Sequence, residues 1–103
     1  MAAKRVGKNT EDIRTRICRA VAADAELDGV DLRVFLYLNM SLNFEKPVHQ
    51  SQVELAVVLG KRQEHISRAI RRLTEAGILV PGPEGKRASK WTLNPNYGKE
   101  TQT

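Results

Sequence analysis

Apolar residues recur at helical spacing in four stretches of the chain, each bounded by residues that start or stop helices. The first is NTEDIRTRICRAVAADAEL. Ile13, Ile17, Ala20 and Val21 fall on one face of a 3.6-residue repeat. Asn9 is a suitable N-cap, and Glu11 and Asp12 sit where the first turn favours negative charge, so the spacing predicts a helix from about 9 to 25. Asp31 can cap a second, short helix carrying Leu32, Phe35, Leu36 and Leu38, after a break at Gly29. Residues 39–46 are polar and turn-like, and Pro47 with Val48 suits a short extended link. A third helix, SQVELAVVL, starts at Gln50 or Ser51 and stops at Gly60, and a fourth runs from about Arg62 to Ala76 and stops at Gly77.

Beyond Gly77 the period changes. Ile78, Leu79 and Val80 form a short aliphatic run, PGPEG is a dense turn signal, and Lys90-Trp91-Thr92-Leu93 alternates as a strand does. Together they predict a β-hairpin with a long basic tip. The expected organisation is a flexible basic arm over 1–8, one folded domain over 9–97 and a flexible tail over 98–103. The fold class is α+β, mainly α, with three to four helices and a C-terminal hairpin. A chain of 103 residues suits a single core.

Charge changes this picture. The net charge is +5, and its placement is uneven. Residues 61–90 hold eight Lys or Arg against three Glu, while the remainder carries nine of each sign. All the excess positive charge lies in one thirty-residue segment, which points to an acidic partner. Cys18 is the one cysteine, so no intramolecular disulfide forms and a reducing compartment is expected. The start, MAAKRVGKN, lacks the apolar stretch of a signal peptide, and no apolar run approaches membrane-spanning length. A cytoplasmic protein without a membrane partner is the expectation.

Rotation by about 100° per residue along the fourth helix groups Ile66, Ala69, Ile70 and Leu73 on one face and Glu64, Arg68 and Arg71 on the other. Lys61, His65, Ser67 and Arg72 flank the polar face. A short helix, a three-residue turn starting at Gly60 and a second amphipathic helix together have helix-turn-helix spacing. The turn glycine suits a sharp reversal with positive φ. In such a unit the second helix enters a major groove and a following basic hairpin reaches the neighbouring backbone.

The segment VHQSQVELAVVLGKRQEHISRAIRRLTEAGILV resembles the core of the winged helix-turn-helix family, in particular MarR-like regulators and RepL-type plasmid replication proteins. The likeness rests on Leu55-Ala56, Leu59-Gly60, Ile66-Ser67-Arg68, Ile70, Leu73 and Glu75-Ala76-Gly77-Ile78, about a third of the chain, and LNPNYG extends it toward the RepL type. The resemblance implies a helical domain with a β-wing that binds double-stranded DNA as a homodimer. It carries Gln63, Glu64, His65, Ser67 and Arg68 onto base-facing positions and Arg71 and Arg72 onto phosphate-facing ones. Lys61 and Arg62 join the phosphate set, as do Lys86, Arg87 and Lys90 of the wing. One departure stands out: the family places a small hydroxyl where this chain has Arg62, which cannot cap the helix. Either the helix starts differently or Arg62 extends to a phosphate. Glu64 can accept from a cytosine amino group or pair with Arg68 four residues on.

Other chemistries lack support in the residues. His49 and Cys18 lie at no recognised metal-ligand spacing, and His65 reads as a polar contact. GPEGKRAS fails as a phosphate loop, because Arg87 follows Gly85-Lys86 and Val80 occupies the required earlier glycine position. Trp91 is expected in the core. Neither a Ser-His-acid set nor a carboxylate pair can be assembled, so no enzyme and no cofactor are expected. The leading expectation is a repressor on a palindromic operator. The alternatives are a plasmid or phage replication initiator at an origin and a winged-helix protein-interaction module.

Overall fold

The computed structural model describes residues 10–83 and 89–99. Among them lie four helices and a small sheet, in the order α1 (Thr10–Ala22), α2 (Gly29–Ser41), β1 (Val48–His49), α3 (Gln52–Leu59), α4 (Gln63–Glu75), β2 (Leu79–Pro81) and β3 (Lys90–Leu93). The class is α+β and mainly helical. The three strands are antiparallel and ordered β1-β3-β2.

α1 buries Ile17 and Val21 and stops at Ala22, three residues before the expected end. Its last amides turn inward, with Ala23 donating to Arg19 and Asp24 to Val21. The Asp24 carboxylate then accepts from the Glu26 amide at 2.9 Å, a local turn that competes with further helix. Asn9, the expected cap, lies outside the described residues.

α2 differs from expectation at both ends. Its N-cap is Asp28, not Asp31. The Asp28 carboxylate accepts from the Asp31 amide, and the Asp31 carboxylate accepts from the Asp28 amide, each at 3.0 Å. This reciprocal pair satisfies two of the amides that a helix start leaves open. Gly29 is therefore the first helical residue. At the other end the helix continues through the polar Asn39 to Ser41. The guanidinium of Arg14 on α1 donates to the Asn39 carbonyl and side chain and, at 3.2 Å, to the Leu42 carbonyl. A cation from another helix thus completes the C-terminal carbonyls of α2. Arg14 also lies 5.0 Å over the Phe44 ring.

Ser51 caps α3, its hydroxyl accepting from the Glu54 amide at 3.1 Å. Gly60 closes that helix in the left-handed region (φ 66, ψ 37), and the Lys61 amide reaches back to Ala56 at 3.0 Å. Glycine occupies this conformation without the clash a Cβ introduces. α4 follows after Lys61 and Arg62. It presses Ile66, Ala69, Ile70 and Leu73 into a core shared with Val34, Phe35 and Leu38 of α2, Leu55 of α3 and the sheet residues Leu79, Trp91 and Leu93. Each such aliphatic side chain contributes about 1.5–3 kcal/mol relative to exposure.

The two strands of the expected hairpin pair antiparallel, with Leu79 opposite Leu93, Val80 opposite Thr92 and Pro81 opposite Trp91, and residues 84–88 of its expected basic tip lie outside the described residues. Pro81 has no amide to give a ladder, and β2 is an edge strand, where that lack is tolerated. β3 also pairs with β1, placing Val48 opposite Trp91 and His49 opposite Lys90. Trp91 is 7% exposed, and its indole N–H has no partner among the described residues.

The chain after β3 folds back onto α1. Arg16 donates to the carbonyls of Pro95 and Tyr97, and the Tyr97 hydroxyl donates to the Asp24 carboxylate at 3.0 Å. Gly98 (φ 83) sits so close to α1 that a Cβ there would meet the Ala20 Cβ at 2.9 Å. Gly98, expected in the tail, is thus packed against the first helix. Among the described residues no helix is long and apolar enough to cross a membrane.

Candidate nucleic-acid interface

α4 is divided by its own sequence. The buried stripe of Ile66, Ala69, Ile70 and Leu73 fixes which side faces the core, and the helical period then sends Gln63, Glu64, Ser67, Arg68 and Arg71 outward, where all five are exposed. Arg62 is exposed at the N-cap position. Its backbone has cap geometry (φ −73, ψ 148), but no side-chain cap bond forms. Lys61 is half-buried in the turn, and Lys90 is exposed at the start of β3. Lys86 and Arg87 lie outside the described residues.

The structure pairs Glu64 differently from the expected pair with Arg68. Glu64 lies 3.9 Å from Arg62, not against Arg68, and both partners are largely exposed. Such a solvated pair contributes little. Arg68 and Arg71 take part in no ion pair or hydrogen bond among the described residues, so both guanidinium groups are available to a partner.

Arg72 stands apart from Arg68 and Arg71 because it is bonded within the fold. The sequence reading sends it to a phosphate with Arg71. In the structure its guanidinium donates to Asp28 and to Asp31 at 3.0 Å each. Asp31 is 1% exposed, and one of its two carboxylate oxygens, Oδ2, accepts both from Arg72 and from the Asp28 amide. The hydrogen bonds that Arg72 donates to Asp31 and then to Asp28 raise its pKa above its ordinary value. The Asp28 carboxyl is lowered from 3.8, first by the Asp31 amide and, against some desolvation, by Arg72. A lowered folded-state pKa means that the Asp28 contribution is complete above its ordinary value and is lost as pH falls through the lowered one.

His65, Arg68, Ala69 and Arg72 of α4 face Asp28, Val30 and Asp31 of α2 across an open cleft of about 200 Å³. His65 is half-buried at this cleft and stands off the outward face. It is therefore nearer to α2 than a base-facing assignment requires. Among the described residues no three His, Cys, Asp or Glu side chains converge as a metal site would need.

Two features of this region escaped the sequence reading. One is the role of Asp28 and Asp31 in holding Arg72; the D-x-x-D spacing signals a capping box, yet nothing local tells that an arginine forty residues on will join it. The other is His49, exposed beside Lys90 through the β1–β3 pairing. A two-residue strand carries no period from which that neighbour is read.

The outer surface of α4 is polar and cationic, with Gln63, Ser67, Arg68 and Arg71 presented together. It offers hydrogen-bond donors to an anion or to base edges. No protein-family model matches the chain, and no curated protein and no solved structure matches it.

Proposed function

We propose that the protein is a sequence-specific regulator that binds duplex DNA as a winged helix-turn-helix, acting as a homodimeric repressor on a palindromic operator. In this reading α3 and the turn at Gly60 set α4 into a major groove. Gln63, Ser67 and Arg68 approach base edges, Arg71 and Arg62 approach phosphates, and the hairpin over 81–90 lies along the neighbouring backbone. Regulation follows from occupancy of the site, with no chemistry of the protein's own.

One observation carries the reading. Arg68 and Arg71 are exposed on the outer face of α4 and are bonded to nothing within the described fold. A helix that needed only solvation would gain from pairing them with Glu64 and Glu75 at helical spacing, and neither pair is made. The concentration of the whole net charge in residues 61–90 supports the same reading. A two-fold dimer doubles the few base contacts one such helix makes.

The test is titration of duplex DNA at several salt concentrations, after selection of bound sites from a random pool. Log affinity should fall linearly with log salt, with a slope of about −0.9 for each phosphate contacted. A palindromic selected motif supports the dimer. A flat slope, or a selected pool indistinguishable from the input, rejects the proposal.

A further inference from the structure

We infer that Arg72 is a positioning residue, which fixes the rotation of α4 against the capped start of α2 and does not itself contact DNA phosphate. This rests on the reading of α4 as the DNA-contacting helix. Arg72 lies about 40° round the helix from Arg68 and about 100° from Arg71, on the flank turned toward α2.

The geometry ties three groups into one joint. A single guanidinium nitrogen donates to the carboxylates of Asp28, the N-cap of α2, and Asp31, in its first turn, both at 3.0 Å. Those carboxylates are themselves held by each other's amides. The joint therefore links the third turn of α4 to the rigid start of α2, and it is directional. The apolar stripe beside it is not: aliphatic packing tolerates small rotations, whereas a charge-assisted hydrogen bond weakens steeply off-axis. Rotation of α4 moves Ser67 and Arg68 across the width of a base pair, so the joint governs which bases they meet.

Recruitment of Arg72 to a phosphate would remove the charged partner of Asp31, a carboxylate with 1% exposure. Leaving a buried charge without its partner is strongly unfavourable. Arg72 also offsets the negative charge of Asp28, which borders the cleft beside Arg68. The joint thus keeps a carboxylate near the cationic face from repelling DNA.

Duplex binding by Arg71→Gln, Arg72→Gln and Asp31→Asn provides the test, each measured across salt on a selected site and on unrelated duplex. Arg71→Gln should lower the magnitude of the salt slope by about 0.9, as loss of one phosphate contact does. Arg72→Gln and Asp31→Asn should leave the slope unchanged. Both should reduce the ratio of selected to unrelated affinity by about tenfold, comparable to one lost base contact. The double variant, which leaves neither charge unpaired, should discriminate better than the two single losses combined would give. If Arg72→Gln lowers the slope as Arg71→Gln does while Asp31→Asn keeps its discrimination, Arg72 is a phosphate ligand and the inference fails. Should Arg72→Gln not fold, Arg72→Lys keeps the charge but not the reach and fixed planar N–H directions of the guanidinium, and loss of discrimination at unchanged slope is again expected. Backbone amide spectra of the free protein separate this inference from the reading beneath it. Shifts spread from Gln63 to Glu75 in Arg72→Gln support the joint even if the parent protein shows no salt-dependent binding. Shifts confined to the neighbours of residue 72 overturn it.

Discussion

α3 and α4 flank one three-residue turn, and they are held by different means. α3 has a serine cap at its start and a left-handed glycine at its end, yet Leu55 is its one fully buried side chain, and Val53, Val57 and Val58 are exposed. α4 lacks a side-chain cap at Arg62; Gly77 (φ 85) closes its other end as Gly60 closes α3, with the Ile78 amide reaching back to Leu73 at 3.0 Å, and along its length it buries Ile66, Ala69, Ile70 and Leu73. The two helices share a glycine stop and differ in the rest: α3 relies on its serine cap, α4 on a buried face. That difference suits a helix whose outer face must stay free: a continuous buried stripe sets the core side of α4, and Arg72 on its flank ties it to α2, without using Gln63, Ser67, Arg68 or Arg71.

The largest expected effect tests the packing half of this contrast. Leu73→Ala should lower unfolding free energy by about 2–5 kcal/mol, read by urea denaturation with an unchanged m-value. The matched change on α3, Val57→Ala at 77% exposure, should stay within about 0.5 kcal/mol. A loss at residue 57 comparable to that at residue 73 would mean that the outer face of α3 is packed in solution, and self-association measured by sedimentation would then be the first explanation to examine.

The cap half is tested at Gly60 and Ser51. No atom lies within 4 Å of a Cβ built on Gly60, so Gly60→Ala meets no steric neighbour and its cost is conformational alone. About 1–2 kcal/mol is expected from holding alanine in the left-handed region. Ser51→Ala removes the bond to the Glu54 amide and should cost about 1 kcal/mol. Both are read by thermal unfolding, and indifference to both substitutions would show that α3 is held by something other than its ends.

The same contrast explains what could be read in the chain beforehand. The stripe of α4, the stop at Gly60 and the hairpin were visible because periodicity and turn residues are local signals. Ser51 was visible as one of two candidate starts for the same reason. What escaped was non-local. Asp28, rather than Asp31, caps α2 because the two carboxylates bond reciprocally, and α2 outlasts its polar stretch because Arg14 arrives from another helix. Residue 98 belongs to the fold because Ala20 of α1 meets it. At the site, the exposed set from Gln63 to Arg71 followed from helical period. The fate of Arg72 did not, since a helical wheel shows which side a residue faces and not which helix waits there.

The smallest effect concerns Arg62, where the two helices meet. Its backbone already has the extended geometry of an N-cap; the His65 amide reaches the Arg62 carbonyl at 3.0 Å, and no such bond is made by the Gln63 and Glu64 amides among the described residues. A serine hydroxyl at this position can accept from the amide of Glu64 or His65. The solvated ion pair with Glu64 that would be lost is worth little. Arg62→Ser should therefore stabilise the fold by about 0.5–1 kcal/mol, seen as a small rise in Tm. If Arg62 contacts a phosphate, the same variant should bind duplex more weakly and lower the magnitude of the salt slope by about 0.9. Stability and affinity then move in opposite directions on one substitution, as they should where a residue unsuited to its structural position is kept for contact with a partner. A rise in Tm with an unchanged salt slope would remove Arg62 from the interface and leave the face from Gln63 to Arg71 to carry binding on its own.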